Sequence, residues 1–286
     1  MSSLLTVLDM TTRRAAIDGD GRNGSGEGYL VNSLVRGLQL LEEFTRERGS
    51  LSLPEIAERR GLNRTTAYRF VYTLRHLGYV ELEPETRRYR LGPKVLQLGF
   101  EFLHSQPLIA IAEPLLRALR DDVGESVHLG VLDEAAVVYL VRLPSEGVFS
   151  ASVSLGTRLP AHATSMGRVL LAALPPRQAE AVLAKAGVFA RSPKGSAAHA
   201  AFFARLEQVR EDGYIVAEQE YEVGVSSVAA PIRDASGRVI AAINISGPSA
   251  RMTREVIDTR HVPAIQATAQ RLSAVLGLQP GPRGSS

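Results

Sequence analysis

The 286-residue sequence contains no cysteine and no tryptophan, and only three of its 33 basic residues are lysine. The absence of cysteine excludes a disulfide framework, a thiolate metal site and a cysteine nucleophile. No run of 18 or more uncharged apolar residues occurs, which argues against a membrane-spanning helix. The first 30 residues have no apolar segment followed by a cleavage signature. We therefore expect a soluble cytoplasmic chain without a signal peptide, although a lack of cysteine is compatible with other compartments.

Motifs for phosphate binding or catalysis are also missing. The sequence has no glycine-rich phosphate loop, no G-x-S-x-G elbow and no H-E-x-x-H or H-x-x-x-H spacing. An enzyme or a metal-dependent sensor remains the alternative hypothesis, because Glu218, Glu220 and Glu222 alternate as on one strand face and His162 lies near Ser165. An exposed acidic strand edge explains the glutamates more simply. We expect no enzymatic activity, no metal and no cofactor.

Positive charge is concentrated in one short segment. The formal net charge is only +3. Residues 59–90 nevertheless hold 8 basic and 3 acidic groups, whereas residues 93–286 hold 19 basic and 18 acidic groups. Nucleic-acid binding depends on local concentration of charge rather than on its sum. The segment 59–90 is therefore the candidate nucleic-acid surface.

The N-terminal third has the pattern of a winged helix-turn-helix over residues 30–92. Residues 1–29 are rich in glycine and predict a flexible tail. Apolar spacing predicts a helix at 32–46, and the capping box Ser52-Leu-Pro-Glu55 opens a short second helix at 53–60. Asn63 is a good cap for a third helix, and alternation at 79–82 and 88–91 predicts a β-hairpin. A linking helix is expected at 93–106.

The third helix and the hairpin supply the predicted DNA contacts. Arginine can bond guanine edges, threonine can contact a phosphate or a thymine methyl, and a helix N-terminus favours phosphate. A basic helix can also be a merely solvated face, but that explanation leaves the capped preceding helix and the basic wing unexplained. The predicted DNA-binding residues are Ser52, Asn63, Arg64, Thr65, Thr66, Tyr68, Arg69, Arg87, Arg88 and Arg90.

Residues 107–277 predict an α+β domain with a mainly antiparallel sheet, because strands and helices mix without strict βαβ alternation. Strand-like runs are expected at 126–132, 135–143, 148–154, 214–217, 225–232 and 239–245, with a terminal helix at 253–276 and a flexible tail at 278–286. Small polar residues interrupt the apolar runs: His162, Thr164, Ser165, Ser226, Ser227, Asn244 and Ser246. They favour either a pocket for a small oxygenated ligand or the capping of backbone ends, and periodicity does not decide between the two.

Several long blocks resemble the IclR-type bacterial transcriptional regulators. They include LSLPEIAERRGLNRTTAYRFVYTLRHLGYVE near the N-terminus and GTRLPAHATSMGRVLLA, VGVSSVAAPIRD and AAINIS further on. The resemblance covers residues 30–277. It implies a winged helix-turn-helix, a linker helix and a GAF-like effector-binding domain, in homodimers or dimers of dimers on palindromic promoter DNA. These sequence blocks are most similar to those of the subgroup that regulates the β-ketoadipate pathway in response to protocatechuate, 4-hydroxybenzoate or related aromatic acids.

The resemblance also implies which residues contact the effector. In the relatives that bind small acids, the contacts come from the HATSMG turn and from two late strands. The matching residues here are Ser165, Met166, Ser227, Asn244 and Ser246. Ala217 stands where an acidic residue is expected, which favours a bulkier or more apolar ligand than pyruvate or glyoxylate. Arg142, at the end of a predicted strand, is the candidate cation for a carboxylate, or else a surface arginine.

Overall fold

A computed structural model describes residues 29–45, 47–145, 154–190 and 196–278. The tails predicted at 1–29 and 278–286 lie outside the described residues except for Tyr29 and Leu278, and so does the strand predicted at 148–154 except for Ser154. The chain divides into two compact units, with the boundary between Ser105 and Gln106. Within the described ranges, no helix is long and apolar enough to cross a membrane.

The N-terminal unit has the predicted order of helices followed by a hairpin. A three-stranded antiparallel sheet of order β1-β3-β2 completes it. Its elements are α1 (Asn32–Leu41), β1 (Ser50–Leu51), α2 (Leu53–Arg59), α3 (Arg64–His76), β2 (Val80–Leu82), β3 (Tyr89–Leu91) and α4 (Lys94–His104).

The core of this unit joins all of its helices except α4 to the sheet. Leu40 of α1, Ile56 of α2, Val71 of α3 and Val80 of β2 are fully or almost fully buried together. The prediction that α1 continues to residue 46 is wrong, because the helix ends at Leu41. Phe44 fits the helical period and is buried, but a turn in which its N–H donates to the Leu41 carbonyl brings it to the core.

The C-terminal unit is built on a six-stranded sheet of order β6-β5-β4-β9-β8-β7, in which every neighbouring pair is antiparallel. The predicted α+β class with a mainly antiparallel sheet is confirmed. Its strands are β4 (Ser126–Asp133), β5 (Ala136–Leu143), β6 (Arg158–Pro160), β7 (Ile215–Glu218), β8 (Val225–Arg233) and β9 (Val239–Pro248). Its helices are α5 (Pro107–Val123), α6 (Ser165–Ala172), α7 (Pro176–Lys185), α8 (Ala197–Asp212), α9 (Arg254–Val256) and α10 (Val262–Val275).

Helices cover the central strands on both faces. Val228, Ala229 and Ala230 follow one another in β8 and all are buried, although successive side chains point to opposite faces of a sheet. Helix α6 packs against β4, β5, β7, β8 and β9, whereas α10 packs against β8 and β9. The N-terminal end of α6 is thereby held against the sheet, which positions the polar residues around Ser165.

Two elements of the C-terminal unit differ from the sequence-based expectations. Strand β6 was not predicted, because it has only three residues, ends in proline and, among the described strands, pairs only with β5 at the edge of the sheet. The single terminal helix expected at 253–276 is interrupted by a π-helical turn at Ile257–His261. Apolar periodicity does not distinguish a π turn from a regular helix, because the apolar side chains continue through it.

Candidate functional site

The wing is attached to the start of α2 by an arginine. Ser52 and Glu55 form the predicted capping box, in which the Ser52 N–H donates to Glu55 Oε2 at 2.7 Å. The Arg88 guanidinium lies 2.9 Å from the same carboxylate and donates to the Ser50 carbonyl at 3.0 Å. Hydrogen bonds from Ser52, followed by the one from Arg88, lower the pKa of Glu55 to about 2. Arg88 therefore connects the wing to α2.

Helix α3 presents a basic and aromatic face to solvent. Asn63 caps it by accepting a hydrogen bond from the Thr66 N–H at 2.8 Å. The exposed side chains are Arg64, Thr65, Tyr68, Arg69, Tyr72, Thr73, Arg75 and His76, and Thr66 is half-buried. Arg64 and Arg69 form no ion pair with any described residue. This face is available for a negatively charged partner.

The three arginines of the wing differ in their ion pairing. Arg87 is exposed, has a left-handed backbone with φ 54° and forms no ion pair within the described part of the chain. Arg90 pairs with Glu81 on the neighbouring strand at 3.0 Å, and Arg88 is occupied by Glu55. Of the three predicted wing contacts, Arg87 is the one with an uncompensated charge.

A cavity of about 70 Å³ lies between the sheet and the N-terminal end of α6. Strand register places its polar residues side by side, since His128 of β4 is directly opposite Asn244 of β9, and Ser227 of β8 is opposite Ser246 of β9. The lining residues are His128, Tyr139, Leu159, Ala163, Thr164, Ser165, Ala217, Glu220, Tyr221, Glu222, Val225, Ser227, Asn244 and Ser246.

Two hydrogen bonds organise the polar groups of the cavity. His128 Nδ1 and Asn244 Oδ1 are 2.9 Å apart, and the Ser227 hydroxyl donates to the Ser165 hydroxyl at 2.9 Å. Ser165 does not cap α6, because Thr164 accepts the hydrogen bond from the Gly167 N–H. The interpretation of Ser165 as a cap is therefore wrong. The hydroxyls of Ser165 and Ser227 are fixed by the hydrogen bond between them.

Four of the predicted effector residues line this cavity, namely Ser165, Ser227, Asn244 and Ser246. Met166 is fully buried in the hydrophobic core and is not among the lining residues. Arg142 is directly opposite His128 on β5 and does not line the cavity either. Burial is the main cause of the lowered pKa of His128, and the charge of Arg142 lowers it further.

The alternating residues Glu218, Glu220 and Glu222 do not lie on one face of a strand. Strand β7 ends at Glu218, and Glu220 and Glu222 lie in the loop that precedes β8. Glu220 pairs with Arg168 of α6 and approaches Arg205 of α8 at 3.9 Å. No group of three or more metal-ligating side chains occurs among the described residues. The alternative of a shared strand face and the preferred explanation of an exposed strand edge are both wrong for Glu220 and Glu222, because the chain turns after Glu218.

Comparison with known proteins identifies the family. Residues 33–84 match the IclR helix-turn-helix domain, and residues 100–274 match the C-terminal domain of the bacterial transcriptional regulator IclR. The Pca regulon regulatory protein of Pseudomonas putida is 36% identical over 249 residues, which span 87% of this chain and 85% of that protein. The chain belongs to the IclR family.

Other IclR-family members show the same similarity along most of their length. The p-hydroxybenzoate hydroxylase transcriptional activator of Acinetobacter baylyi is 33% identical over 251 residues, covering 86% of this chain and 92% of that protein. The crystal structure of an IclR homologue complexed with 4-hydroxybenzoate, from Microbacterium hydrocarbonoxydans, matches with a TM-score of 0.70 and 27% identity, over 85% of this chain and 98% of that one.

Membership of the IclR family resolves the enzymatic alternative. The relatives are transcriptional regulators, and this chain is a transcriptional regulator and not an enzyme. In the structure, Ser165 is hydrogen-bonded to Ser227. His162 Nδ1 is buried without a hydrogen-bond partner among the described residues.

Several lining residues of this IclR-family cavity were not predicted from the sequence, namely His128, Tyr139 and Tyr221. His128 and Tyr139 also pack edge to face, with ring centroids 5.5 Å apart. A buried histidine on an otherwise apolar strand was the available signal. Its partner Asn244 is 116 residues away, so the pairing could not be predicted locally.

His128 predicts a pH dependence of stability. Burial lowers its pKa from 6.5 to about 4, with a smaller opposing effect from Asn244. Below pH 6.5 the unfolded chain binds a proton that the folded chain does not bind, so stability is lost as the pH falls from about 6.5 towards 4. We expect this group to remove about 2 kcal/mol between pH 7 and pH 5. Urea unfolding of wild type and His128→Gln at both pH values measures the difference.

His76→Gln is the matched control for this prediction, because His76 is exposed on α3. It should keep the pH dependence of the wild type, whereas His128→Gln should flatten it. Equal pH dependence in the wild type and His128→Gln would show that folding does not lower the pKa of His128.

Proposed function

We propose that this IclR-family chain binds promoter DNA in the cytoplasm through α3 and the β2–β3 wing, with Arg64, Thr65, Tyr68, Arg69 and Arg87 as its contacts. The observation that carries the proposal is the exposed face of α3, where Arg64 and Arg69 are not neutralised by any described acidic group. Exposed arginines near a helix N-terminus suit the major groove and the flanking phosphates. Ser52 and Asn63 are occupied as helix caps, so their part is to position α2 and α3.

A homodimer, or a dimer of dimers, is the proposed binding form. Leu34 and Leu38 on α1 are more than half exposed, and so are Leu96 and Leu98 on α4. Helices that expose several large apolar side chains favour a protein partner. A second copy of the chain fits, because two symmetric DNA-binding units match a palindromic site.

The proposed effector is a small aromatic carboxylic acid bound in the cavity of the C-terminal unit. Ser165, Ser227, Asn244 and Ser246 supply hydrogen-bonding groups there, while Tyr139 and Leu159 supply apolar surface. Ala217 lines the same cavity and brings no charge to it. The names of two relatives, a Pca regulon regulatory protein and a p-hydroxybenzoate hydroxylase activator, support an aromatic acid.

The effector acts by shifting the equilibrium between two conformations of the dimer. A ligand that binds one conformation of the dimer better than another changes the affinity for DNA by the ratio of its two affinities, and no more. The effector therefore either releases or recruits the regulator according to which conformation binds DNA.

The test combines DNA binding and ligand binding in the full-length protein. Affinity for DNA upstream of the chain's own gene should fall steeply with salt, with a logarithmic slope of about −0.9 per phosphate neutralised. A screen of 4-hydroxybenzoate, protocatechuate and benzoate should yield an acid that changes this affinity. At a concentration of about 100 times Kd the acid should also stabilise the protein by about 2.7 kcal/mol, measured by thermal unfolding.

The proposal fails in two recognisable ways. DNA binding that does not depend on salt contradicts the role of the α3 arginines. If no acid changes either the DNA affinity or the thermal stability, an aromatic acid is not the effector.

A further inference from the structure

The effector cavity contains negative charge and no positive charge. Of the described residues that line it, Glu220 and Glu222 are acidic and none is lysine or arginine. Arg142 is close to His128 but outside the lining. A carboxylate entering this cavity meets two like charges and lacks the cation that normally compensates a desolvated carboxylate. The cavity as it stands does not account for binding of an acid.

Arg168 does not line the cavity either, but it pairs with Glu220, which does, and it is more buried than Arg205, the other cation near Glu220. Arg168 lies in the first turn of α6, three residues after Ser165, and its side chain is only 14% exposed. Its Nε donates to the His162 carbonyl at 2.9 Å, and its Nη1 pairs with Glu220 Oε2. The bond to the backbone of residue 162 is independent of Glu220. Arg168 would therefore keep its orientation if the glutamate moved away.

The loop that carries Glu220 is fixed at its base by hydrogen bonds, and side-chain ion pairs of Glu220 hold its tip. At the base of residues 219–224, the Gln219 N–H donates to the Val225 carbonyl at 2.8 Å and the Gly224 N–H donates to Gln219 Oε1 at 3.0 Å. At the tip, Tyr221 is half exposed and Val223 is 88% exposed. The tip can move without breaking the pairing of β7 with β8.

The size of the cavity requires such a movement. Its volume of about 70 Å³ is well below the roughly 150 Å³ of an engineered cavity that admits benzene. An aromatic acid must displace part of the lining, and the lining residues that are exposed are those of the loop tip, Glu220, Tyr221 and Glu222.

We propose that Arg168 binds the carboxylate of the effector and that, in the effector-free protein, Glu220 occupies Arg168 as an internal competitor. On binding, the effector carboxylate replaces the Glu220 carboxylate on Arg168, and the loop tip moves outward to make room for the ring. This inference rests on the proposed function, since it concerns how that cavity accepts an acid. It adds Arg168 and Glu220 to the residues that determine affinity.

The experiment compares Glu220→Gln with Glu222→Gln in the full-length protein, with benzoate as the probe. Both variants remove one negative charge from the same loop and the same cavity lining, but only Glu220→Gln releases Arg168. Calorimetric titration should show tighter benzoate binding in Glu220→Gln than in Glu222→Gln, by about fivefold, which is the scale of a partly exposed ion pair. Benzamide has the same shape and no charge, and its affinity should not differ between the two variants.

Arg168→Gln completes the test. Added to Glu220→Gln, it should weaken benzoate binding by about tenfold or more, because a charge-assisted hydrogen bond to the carboxylate is lost. Thermal unfolding checks that this variant folds. Glu220→Gln changes only a loop side chain, so the comparison with Glu222→Gln decides the question if Arg168→Gln is unstable.

Three results would overturn the inference. Equal tightening by Glu220→Gln and Glu222→Gln would mean that only the overall charge matters. Weaker binding in Glu220→Gln would mean that Glu220 supports the ligand rather than competing with it. No detectable binding of benzoate to Glu220→Gln would mean that the freed Arg168 is not a carboxylate site. The proposed function is tested separately, by whether any acid changes DNA affinity in the wild type, so the two failures are distinguishable.

Discussion

Replacement of Gly167 by alanine is expected to destabilise the C-terminal unit by roughly 4 kcal/mol or more, or to prevent its folding. A Cβ atom at residue 167 would lie 2.1 Å from the Ala161 carbonyl oxygen and 2.3 Å from the Ala161 Cα. Both atoms belong to the backbone of Ala161, which is fully buried and cannot move aside like a flexible side chain. Helix α6 would have to shift, and with it Ser165 and Arg168. Urea unfolding followed by circular dichroism measures the loss.

Gly99→Ala is the matched control for this substitution. Gly99 lies inside α4, and nothing is within 4 Å of the position that its Cβ would take. Because alanine favours the helix more than glycine does, Gly99→Ala should stabilise the protein by about 0.5–1 kcal/mol. If Gly167→Ala unfolds within 1 kcal/mol of the wild type, the close approach of α6 to Ala161 is not a real constraint.

Arg64→Ala and Arg69→Ala are each expected to weaken operator binding by about tenfold or more, corresponding to 1–3 kcal/mol for a lost arginine contact. Both side chains are exposed on α3, and neither is paired within the described part of the chain. A phosphate contact should reduce the salt slope by about one unit, whereas a base contact should relax specificity at one position. Fluorescence anisotropy at several salt concentrations, with the operator and a scrambled duplex, separates the two.

Arg75→Ala is the control for these two substitutions. Arg75 is an exposed arginine on the same helix but lies in its last turn, away from the N-terminal end. Arg75→Ala removes the same charge and should reduce the affinity for the operator much less. An equal loss from Arg64→Ala, Arg69→Ala and Arg75→Ala would indicate a general electrostatic effect in place of docking by the N-terminal end of α3.

The predictions for the N-terminal unit were accurate where the signals are local. The Ser52 capping box, the Asn63 cap and the hairpin were predicted from residues that lie within a few positions of one another, and the structure has each of them. Caps depend on hydrogen bonds across three residues, so neighbouring sequence is enough to specify them. The predicted end of α1 was wrong. Phe44 fits the helical spacing and is buried, but it lies in a turn that follows the helix.

The C-terminal unit was predicted as a class but not in its details. The mixture of strands and helices correctly indicated an antiparallel sheet with helices. The short strand β6, the end of β7 at Glu218 and the π turn before α10 were not predicted. Strand β6 is defined by its pairing with β5, and residue type alone does not record such a partner.

The sequence by itself determined the helix caps, the apolar stripes, the concentration of positive charge in residues 59–90 and the family to which the chain belongs. Only the tertiary structure decided which charged and polar groups are engaged. Arg88 is bound to Glu55 at a separation of 33 residues, Arg168 to Glu220 at 52, and His128 to Asn244 at 116. Charge and hydrogen bonding act over a few ångströms in space, and the fold alone determines which distant residues come that close.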